Sequence, residues 1–394
     1  MRDAYIVTSV RTPGCKRKKG AFSQTRPEDL IAFILDAAVK KTPALEKKDV
    51  EDIMVGCAFP EAEQGMNIGR VAALMAGFPV EVTGATVNRF CSSGLEAIAQ
   101  ASLRVMAGWS EVTIGSGVES MSFVPLGGHM PRPHPEWTKQ HADLYTSMGI
   151  TAENVAKRYG VSREDQDEFA CQSQLKAARA RKEGLFTELV PTPATRYVRQ
   201  ENGTYRKETV LQDFDDGIRE GTTVEGLAKL NPVFAAGGSV TAGNSSQTTD
   251  GAAATVIMSE EKMNELGLTP VAKLKYYTTV GCQPDEMGVG PKYAIPRVLK
   301  MAGVDIKDVG LFEINEAFAS QALHCIRELG IDNDMDKINI NGGAIALGHP
   351  LGCTGAKLAA TLLANMRRKG AQYGVESMCI GGGMGAAALF ELCG

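Results

Sequence analysis

A thiol on a turn is the first group in this chain able to form a covalent bond with a substrate. Cys91 stands in the run Val87-Asn88-Arg89-Phe90-Cys91-Ser92-Ser93-Gly94. Val82, Thr83, Thr86 and Val87 are β-branched and predict a strand, and Leu95, Ile98, Ala99, Ser102, Val105 and Met106 recur at helical spacing up to Gly108. Cys91 is therefore expected between a strand and a helix, its sulfur beside the unpaired N–H groups of the helix N-terminus. That position favours the thiolate and lowers a thiol pKa. On the turn alone a buried Cys acting as a small hydrophobe fits as well, because free Cys is among the most buried residue types.

The elements around Cys91 alternate. Residues 4–10 read as a strand, Pro27-Glu28-Asp29-Leu30 opens a helix with an acidic first turn, Ile53-Met54-Val55 is a strand, and a helix follows near residues 67–75. After the Cys91 unit, Val112-Thr113-Ile114 runs as a strand into Gly115-Ser116-Gly117. This alternation predicts an α/β sheet layered with helices. From about residue 121 to 239 the texture changes, with a Pro-rich stretch at 125–141, helices near 151–159 and 162–181, and a hairpin turn at Asn202-Gly203. These residues read as an inserted α+β loop domain.

Beyond Gly251 the first pattern returns. Lys48-Asp49-Val50-Glu51-Asp52-Ile53-Met54-Val55-Gly56 matches Lys307-Asp308-Val309-Gly310-Leu311-Phe312-Glu313-Ile314-Asn315, an offset of 259 residues. That offset carries Cys91 to position 350, beside His349, and Cys91-Ser92-Ser93-Gly94 lies against His349-Pro350-Leu351-Gly352, each followed by a helix. The repeat predicts a duplicated fold: an N-terminal half over 1–118 completed by about 249–270, the inserted domain over 119–248, and a C-terminal half over 271–394. Two equivalent loop–helix starts meeting across a pseudo-two-fold would bring Cys91 and His349 together.

Composition narrows the function classes. A formal charge of −4 gives no electrostatic reason to expect nucleic acid or an anionic membrane as partner. The basic run Lys16-Arg17-Lys18-Lys19 reads as a solvated loop rather than an anion site. Nine scattered cysteines without a C-x-x-C pair predict neither a disulfide framework nor a zinc site and suit a reducing cytosol, so a cytoplasmic location is expected. No apolar run reaches the length of a membrane span. The chain enters a strand at Ala4-Tyr5-Ile6-Val7, so no signal or transit peptide is expected, and Leu392-Cys393-Gly394 matches neither a prenylation box nor a peroxisomal tail.

Four stretches then collect: residues 88–94, Asn315-Glu316-Ala317-Phe318, residues 341–355, and Cys379-Ile380-Gly381-Gly382-Gly383-Met384-Gly385. Together they resemble the thiolase family over essentially the whole chain, from Val10-Arg11-Thr12-Pro13 to the final strand. Thr241-Ala242-Gly243-Asn244-Ser245-Ser246-Gln247 and the run from Ala346 to Gly355 look most like the degradative 3-ketoacyl-CoA thiolases of fatty-acid β-oxidation. The resemblance implies a duplicated α-β-α-β-α layered core and acyl transfer through an acyl-cysteine. It implies no metal or redox cofactor, with coenzyme A as co-substrate. By resemblance Cys91 is the nucleophile, His349 the base, Cys379 the acid for the departing acetyl-CoA carbanion, Gly381 with the Cys91 N–H an oxyanion hole, and Asn315 a partner of His349 at the enolate oxygen. Ser246 matches a serine near the pantetheine, with Met148, Gln247 and Phe318 around the substrate and Arg219 or Lys229 as phosphate partners.

The family's biosynthetic acetoacetyl-CoA members typically carry His-Met where this chain has Ser147-Met148, and often Gly where it has Gln247. Both departures lean toward longer acyl chains. The rival readings are a biosynthetic acetyl-CoA acetyltransferase with the same machinery and, in another class, a non-catalytic thiolase-like CoA or lipid carrier. The resemblance further implies a homodimer or homotetramer, in some family members joined by a hydratase–dehydrogenase partner.

Overall fold

The computed structural model describes residues 2–393; Met1 and Gly394, the outermost positions of the two expected halves, lie outside the described residues. The N-terminal half runs β1 (Ala4–Arg11), the short β2 (Cys15–Lys16), α1 (Pro27–Lys40), β3 (Asp52–Gly56), α2 (Ile68–Met75), β4 (Thr83–Val87), α3 (Ser93–Met106) and β5 (Val112–Ser120). The insertion carries α4 (Pro135–Gln140), α5 (Met148–Tyr159), α6 (Arg163–Lys182), β6 (Thr192–Arg199), β7 (Tyr205–Gln212) and α7 (Val224–Ala228). The chain returns to the first half through β8 (Thr249–Ser259) and leaves it by α8 (Glu260–Glu265). The C-terminal half comprises β9 (Ala272–Gly281), α9 (Gly290–Ala302), β10 (Leu311–Ile314), α10 (Ala319–Glu328), α11 (Ala344–Leu347), α12 (Leu351–Lys369), β11 (Tyr373–Ile380) and β12 (Met384–Leu392).

Local chemistry sets the ends of these elements. Pro27 opens α1 with Glu28 and Asp29 in its first turn and Lys40 in its last, the charge order that a helix dipole favours. The Ser162 hydroxyl accepts the Asp165 N–H at 3.0 Å and caps α6. Asn202 and Gly203 lie in a five-residue connection, 200–204, rather than a two-residue turn; Asn202 Oδ1 accepts the Thr204 N–H and Gly203 takes φ 83°.

Among the described residues the strands form a ten-stranded sheet ordered β10-β11-β12-β9-β1-β8-β5-β3-β4, with β2 beside β8; β6 and β7 pair separately. The order reads outward from the centre as β1-β8-β5-β3-β4 on one side and β9-β12-β11-β10 on the other, so the halves repeat one topology. They join where β1 and β9 pair antiparallel through Tyr5–Lys273 and Ile6–Ala272. The counterpart of β4 shrinks to a single parallel bridge, Phe312–Ile338.

Three apolar layers separate the helices from the sheet. One packs α1 and α2 on the outer face of the first half through Leu30, Ile34, Leu35 and Ala72. One packs α9 and α10 on the second through Ile295, Val298, Ala322 and Ile326. The middle layer holds α3 and α12 between inward residues of both halves, including Met54, Ile257, Met378 and Phe390. The sequence of helix, sheet, helix, sheet, helix gives five layers. The insertion packs Phe169, Ala170 and Cys171 of α6 into the outer layer of the C-terminal half.

The first turns of α3 and α12 touch backbone to backbone. A Cβ on Gly94 would meet Ala356 N at 2.6 Å, and one on Gly355 would meet Leu95 N at 2.2 Å. Only glycine allows that approach. It draws the loop before each helix, with Cys91 in one and His349 in the other, to the same place.

Candidate active site

Cys91 occupies a single 3-10 turn, Phe90–Ser92, between β4 and α3. Phe90 before it takes φ 44°, a left-handed conformation that costs on the order of 1–3 kcal/mol and persists only where neighbours enforce it. Here they do. Asn88 Oδ1 accepts the Phe90 N–H at 2.9 Å, while the Ser93 hydroxyl accepts the Arg89 N–H at 2.9 Å and donates to the Phe90 carbonyl at 2.7 Å. The sulfur lies buried among Ala58, Met121 and Leu351. Burial pushes the Cys91 thiol up to about 12, and the N–H groups of Gly381 and of Cys91 itself offset only part of that rise. This corrects the expectation of a lowered thiol pKa. The helix N-terminus is present, but desolvation of a sulfur with 5% exposure outweighs it.

His349 follows α11 and Gly348 and precedes α12. Its N–H donates to the Gln247 carbonyl at 2.9 Å. Nδ1 lies 2.5 Å from Thr354 Oγ1 and Nε2 lies 3.3 Å from Asn315 Nδ2. Burial, helped by the Lys357 charge, holds the imidazole down to about 3, so it is neutral at working pH. Asn315 extends β10: its N–H donates to the Ser377 carbonyl, and its carbonyl accepts Gln321 Nε2 at 2.8 Å. Its side-chain Oδ1 is buried without a partner.

Cys379 sits near the end of β11, opposite Gly385 of β12, and is fully buried. Burial raises its thiol well above the usual range, and the nearby Cys91, Cys325 and Cys282 thiols add to the rise. The turn that follows places Gly381 against Met148 and Phe90: a Cβ there would meet Met148 Cε at 3.3 Å and the Phe90 ring at 3.7 Å. Phe318 packs in one cluster with Cys379, Met148, Ala152 and Val240, its ring edge-on to Phe234 at 5.9 Å. Cys91 thus neighbours Gly381 and Cys379, Met148 and Phe318 pack against that side, and Leu351, two residues after His349, packs on Cys91.

Four further expected positions remain. Gln247 is half-buried, and its Oε1 is without a partner. Its Nε2 donates to the carbonyls of Gly217 at 2.9 Å and Ile345 at 3.0 Å, because the segment before His349 needs a tether. Arg219 and Lys229 are exposed, and neither side chain forms an ion pair or hydrogen bond among the described residues. The half-buried Ser246 is anchored by its N–H to the Ala317 carbonyl at 2.9 Å, leaving its hydroxyl free.

The arrangement is two neutral thiols, a neutral imidazole, a carboxamide and backbone donors gathered where two duplicated halves meet. It can take a proton from one sulfur, hold an acyl group on it, and return a proton from the other. A model of the thiolase N-terminal domain matches residues 4–261, and one of the C-terminal domain matches residues 268–392. The chain belongs to the thiolase family. It is 50% identical to a 3-ketoacyl-CoA thiolase of Bacillus subtilis over 100% of both chains. Among solved structures, an acetyl-CoA acetyltransferase of Bacillus anthracis superposes with TM-score 0.89 at 37% identity, covering 100% of this chain and 99% of that one. The dimeric peroxisomal thiolase of Saccharomyces cerevisiae superposes with TM-score 0.88 at 38% identity, covering 100% and 98%.

Several residues that shape this thiolase site gave no signal in the sequence. Glu119 is buried on β5 and accepts the N–H groups of Ala58 and Gly352, each at 2.8 Å, so one carboxyl ties the loop after β3 to the start of α12. Glu316 accepts Ser173 Oγ at 2.6 Å, Asn339 Nδ2 at 2.8 Å and the Ile345 N–H at 3.2 Å, and so fixes the path that leads to His349. Arg11 is buried in a fork with Asp215, at 2.8 and 3.0 Å, and with Glu188 at 2.9 Å, joining β1 to the insertion. Arg11 and Glu316 stood in stretches already marked out, Val10-Arg11-Thr12-Pro13 and Asn315-Glu316-Ala317-Phe318, but their partners were not legible there.

Proposed function

We propose that this chain is a 3-ketoacyl-CoA thiolase, cleaving a 3-ketoacyl-CoA with CoA to acetyl-CoA and an acyl-CoA two carbons shorter, in fatty-acid β-oxidation. What supports the reading is the Cys91 sulfur beside Cys379 and the Gly381 N–H, with His349, bonded to Asn315, opening the helix whose Leu351 packs on Cys91. Cys91 sulfur attacks C3 while His349 takes its proton. The C2–C3 bond breaks, and the electron pair left on C2 takes a proton from Cys379 to release acetyl-CoA. The proton held by His349 passes to the Cys379 thiolate; His349 then takes the proton of the CoA thiol, which attacks the acyl-Cys91 thioester, and as the shortened acyl-CoA leaves, His349 returns that proton to the Cys91 thiolate. Because Cys91 rests as a thiol, nucleophile and base act together rather than as a preformed ion pair.

Gly381 N–H and Cys91 N–H already point at the sulfur, where they would meet the oxyanion of an intermediate built on it. Met148 and Phe318 line the space for the acyl portion, and Ser246 offers a free hydroxyl to the pantetheine arm. Arg219 and Lys229 provide exposed cations for the phosphates. CoA acts here as co-substrate, not as a resident cofactor.

The apolar edge around β4, with Met66, Leu74, Met75 and Val80 exposed, supports a homo-oligomer, as in the dimeric yeast relative. Among the described residues no helix is long and apolar enough to cross a membrane. Free cysteines throughout and a Bacillus relative support action in a reducing cytoplasm.

The test is thiolysis kcat/KM over 3-ketoacyl-CoA chain lengths, with Cys91→Ser as control. Activity extending beyond four carbons and lost in the variant is expected. Activity confined to acetoacetyl-CoA would move the assignment to a biosynthetic acetyltransferase, and activity at no length would restore the carrier.

A further inference from the structure

His349 can act as a base only through a nitrogen that carries no proton, and a neutral imidazole has one such nitrogen. Which one it is depends on the partner of the other. Thr354 lies one turn into α12, and its hydroxyl donates to the Pro350 carbonyl at 3.0 Å, the four-residue back-bond common for Thr in a helix. A hydroxyl has one proton to give. Given to Pro350, that proton leaves the oxygen to accept at its 2.5 Å contact with His349 Nδ1, and in that arrangement Nδ1 carries the hydrogen. Nε2 is left with its lone pair, 3.3 Å from the Asn315 amide nitrogen.

We propose that Thr354 is a positioning residue that locks His349 in the Nδ1–H form, presenting the Nε2 lone pair to the reacting thiols. The inference deepens the thiolase reading and rests on it for its consequence in catalysis. The alternative form is close at hand. Asn315 Oδ1 is buried and unpartnered, so turning the amide over would let it accept an Nε2–H. Thr354 is what stands against that exchange. Its isostere Thr354→Val keeps the shape and removes the acceptor; Thr354→Ser keeps the acceptor and removes a methyl group.

The experiment uses full-length protein labelled with ¹⁵N-histidine, with His349→Asn to assign the resonance among five histidines. Wild type and Thr354→Ser should show a protonated Nδ1 and a bare Nε2, and Thr354→Val should move the proton to Nε2. In parallel, acylation of Cys91 by acetyl-CoA should slow on the order of 10²-fold in Thr354→Val, the range typical of a lost general base, with KM within about twofold and Thr354→Ser within about threefold of wild type.

Should Thr354→Val not fold, Thr354→Ala against Thr354→Ser makes the same comparison, since the two differ by the hydroxyl alone. A protonated Nε2 in wild type, an unchanged tautomer in the variant without the hydroxyl, or equal losses with and without it would overturn the proposal. If wild type itself is neither acylated nor active in thiolysis, the thiolase reading fails, and the tautomer measurement still decides the role of Thr354.

Discussion

At matching strand positions the N-terminal half carries Met54 beside Gly115, and the C-terminal half carries Glu313 beside Glu376; each pair sits in register on parallel neighbours, β3 with β5 and β10 with β11. Two residues on from Met54, Gly56 ends β3 where the second half has Asn315. The first half is packed dry and close: a Cβ on Gly115 would meet the Ile98 Cα at 2.5 Å, and one on Gly56 would meet the Ser93 carbonyl carbon at 2.3 Å. The second half trades that close contact for polar groups, with Asn315 reaching His349 and two carboxyls behind it. The duplicated topology fixes where the loops meet, and the departures from symmetry divide the chemistry. A rigid, tightly packed turn holds the nucleophile, and a polar, hydrogen-bonded half holds the base.

Exchanging the two equivalent residues should break the molecule in two different ways. Gly56→Asn forces a side chain into the backbone at the start of α3, next to the Cys91 turn. It is expected to destabilise by about 3 kcal/mol or more, read as a lower midpoint in urea. Asn315→Gly should leave the fold cooperative and lower thiolysis kcat by about 10²–10³-fold, the range for one lost oxyanion donor. Equal loss of stability in both variants would show that the halves do not differ in this way.

The turn around Cys91, the loop around His349 and the repeat that relates them were legible because each is written locally. A β-branched run, a helical spacing and a Lys-Asp-Val match need no knowledge of what packs where. The five-layer fold came with the family resemblance and agrees with the strand order. The state of the thiol was not legible, since burial is a property of Ala58, Met121 and Leu351 converging from distant segments. The tether made by Gln247 was hidden for a related reason, since its Nε2 bonds to carbonyls 30 and 98 residues away. Glu119 and Thr354 were silent because a lone carboxylate or hydroxyl shows nothing until its partners are in place.

Glu316 tests how far the polar half depends on its anchor. The carboxyl accepts three donors and donates to none, an arrangement suited to the ionised form even though burial raises its pKa. Glu316→Gln turns an NH₂ group toward at least one of those donors. A cost of about 1–3 kcal/mol is expected, the usual penalty for a buried group left unsatisfied. Activity should fall more steeply with temperature than in wild type, because the loop that bears His349 loosens first. Unchanged stability would mean that the path from Asn339 to His349 is held by backbone bonds alone.

The smallest effect comes from Glu376, whose two oxygens are buried without a partner and whose neighbour across the register is Glu313. Burial keeps Glu376 protonated well above the ordinary range and pushes Glu313 up to about 8, with the Glu316 charge adding to the rise. For a carboxyl raised on folding, the unfolded chain binds fewer protons between its own pKa near 4.5 and the folded value. Stability contributed this way is complete below about pH 4.5 and declines as pH rises toward 8, by at most about 1.4 kcal/mol per pH unit for each proton involved. His349 acts in the opposite sense and at lower pH: held neutral down to about 3, it withdraws stability as pH falls below its ordinary 6.5. Between pH 6.5 and 8 only the carboxyl contribution from this group of three is changing. Glu376→Gln cannot ionise, so its melting temperature should fall less across that window than that of wild type. Met54→Leu in the dry half should shift the whole curve without changing its slope. Parallel curves for Glu376→Gln and wild type would place the alkaline loss elsewhere and leave the two halves electrostatically alike.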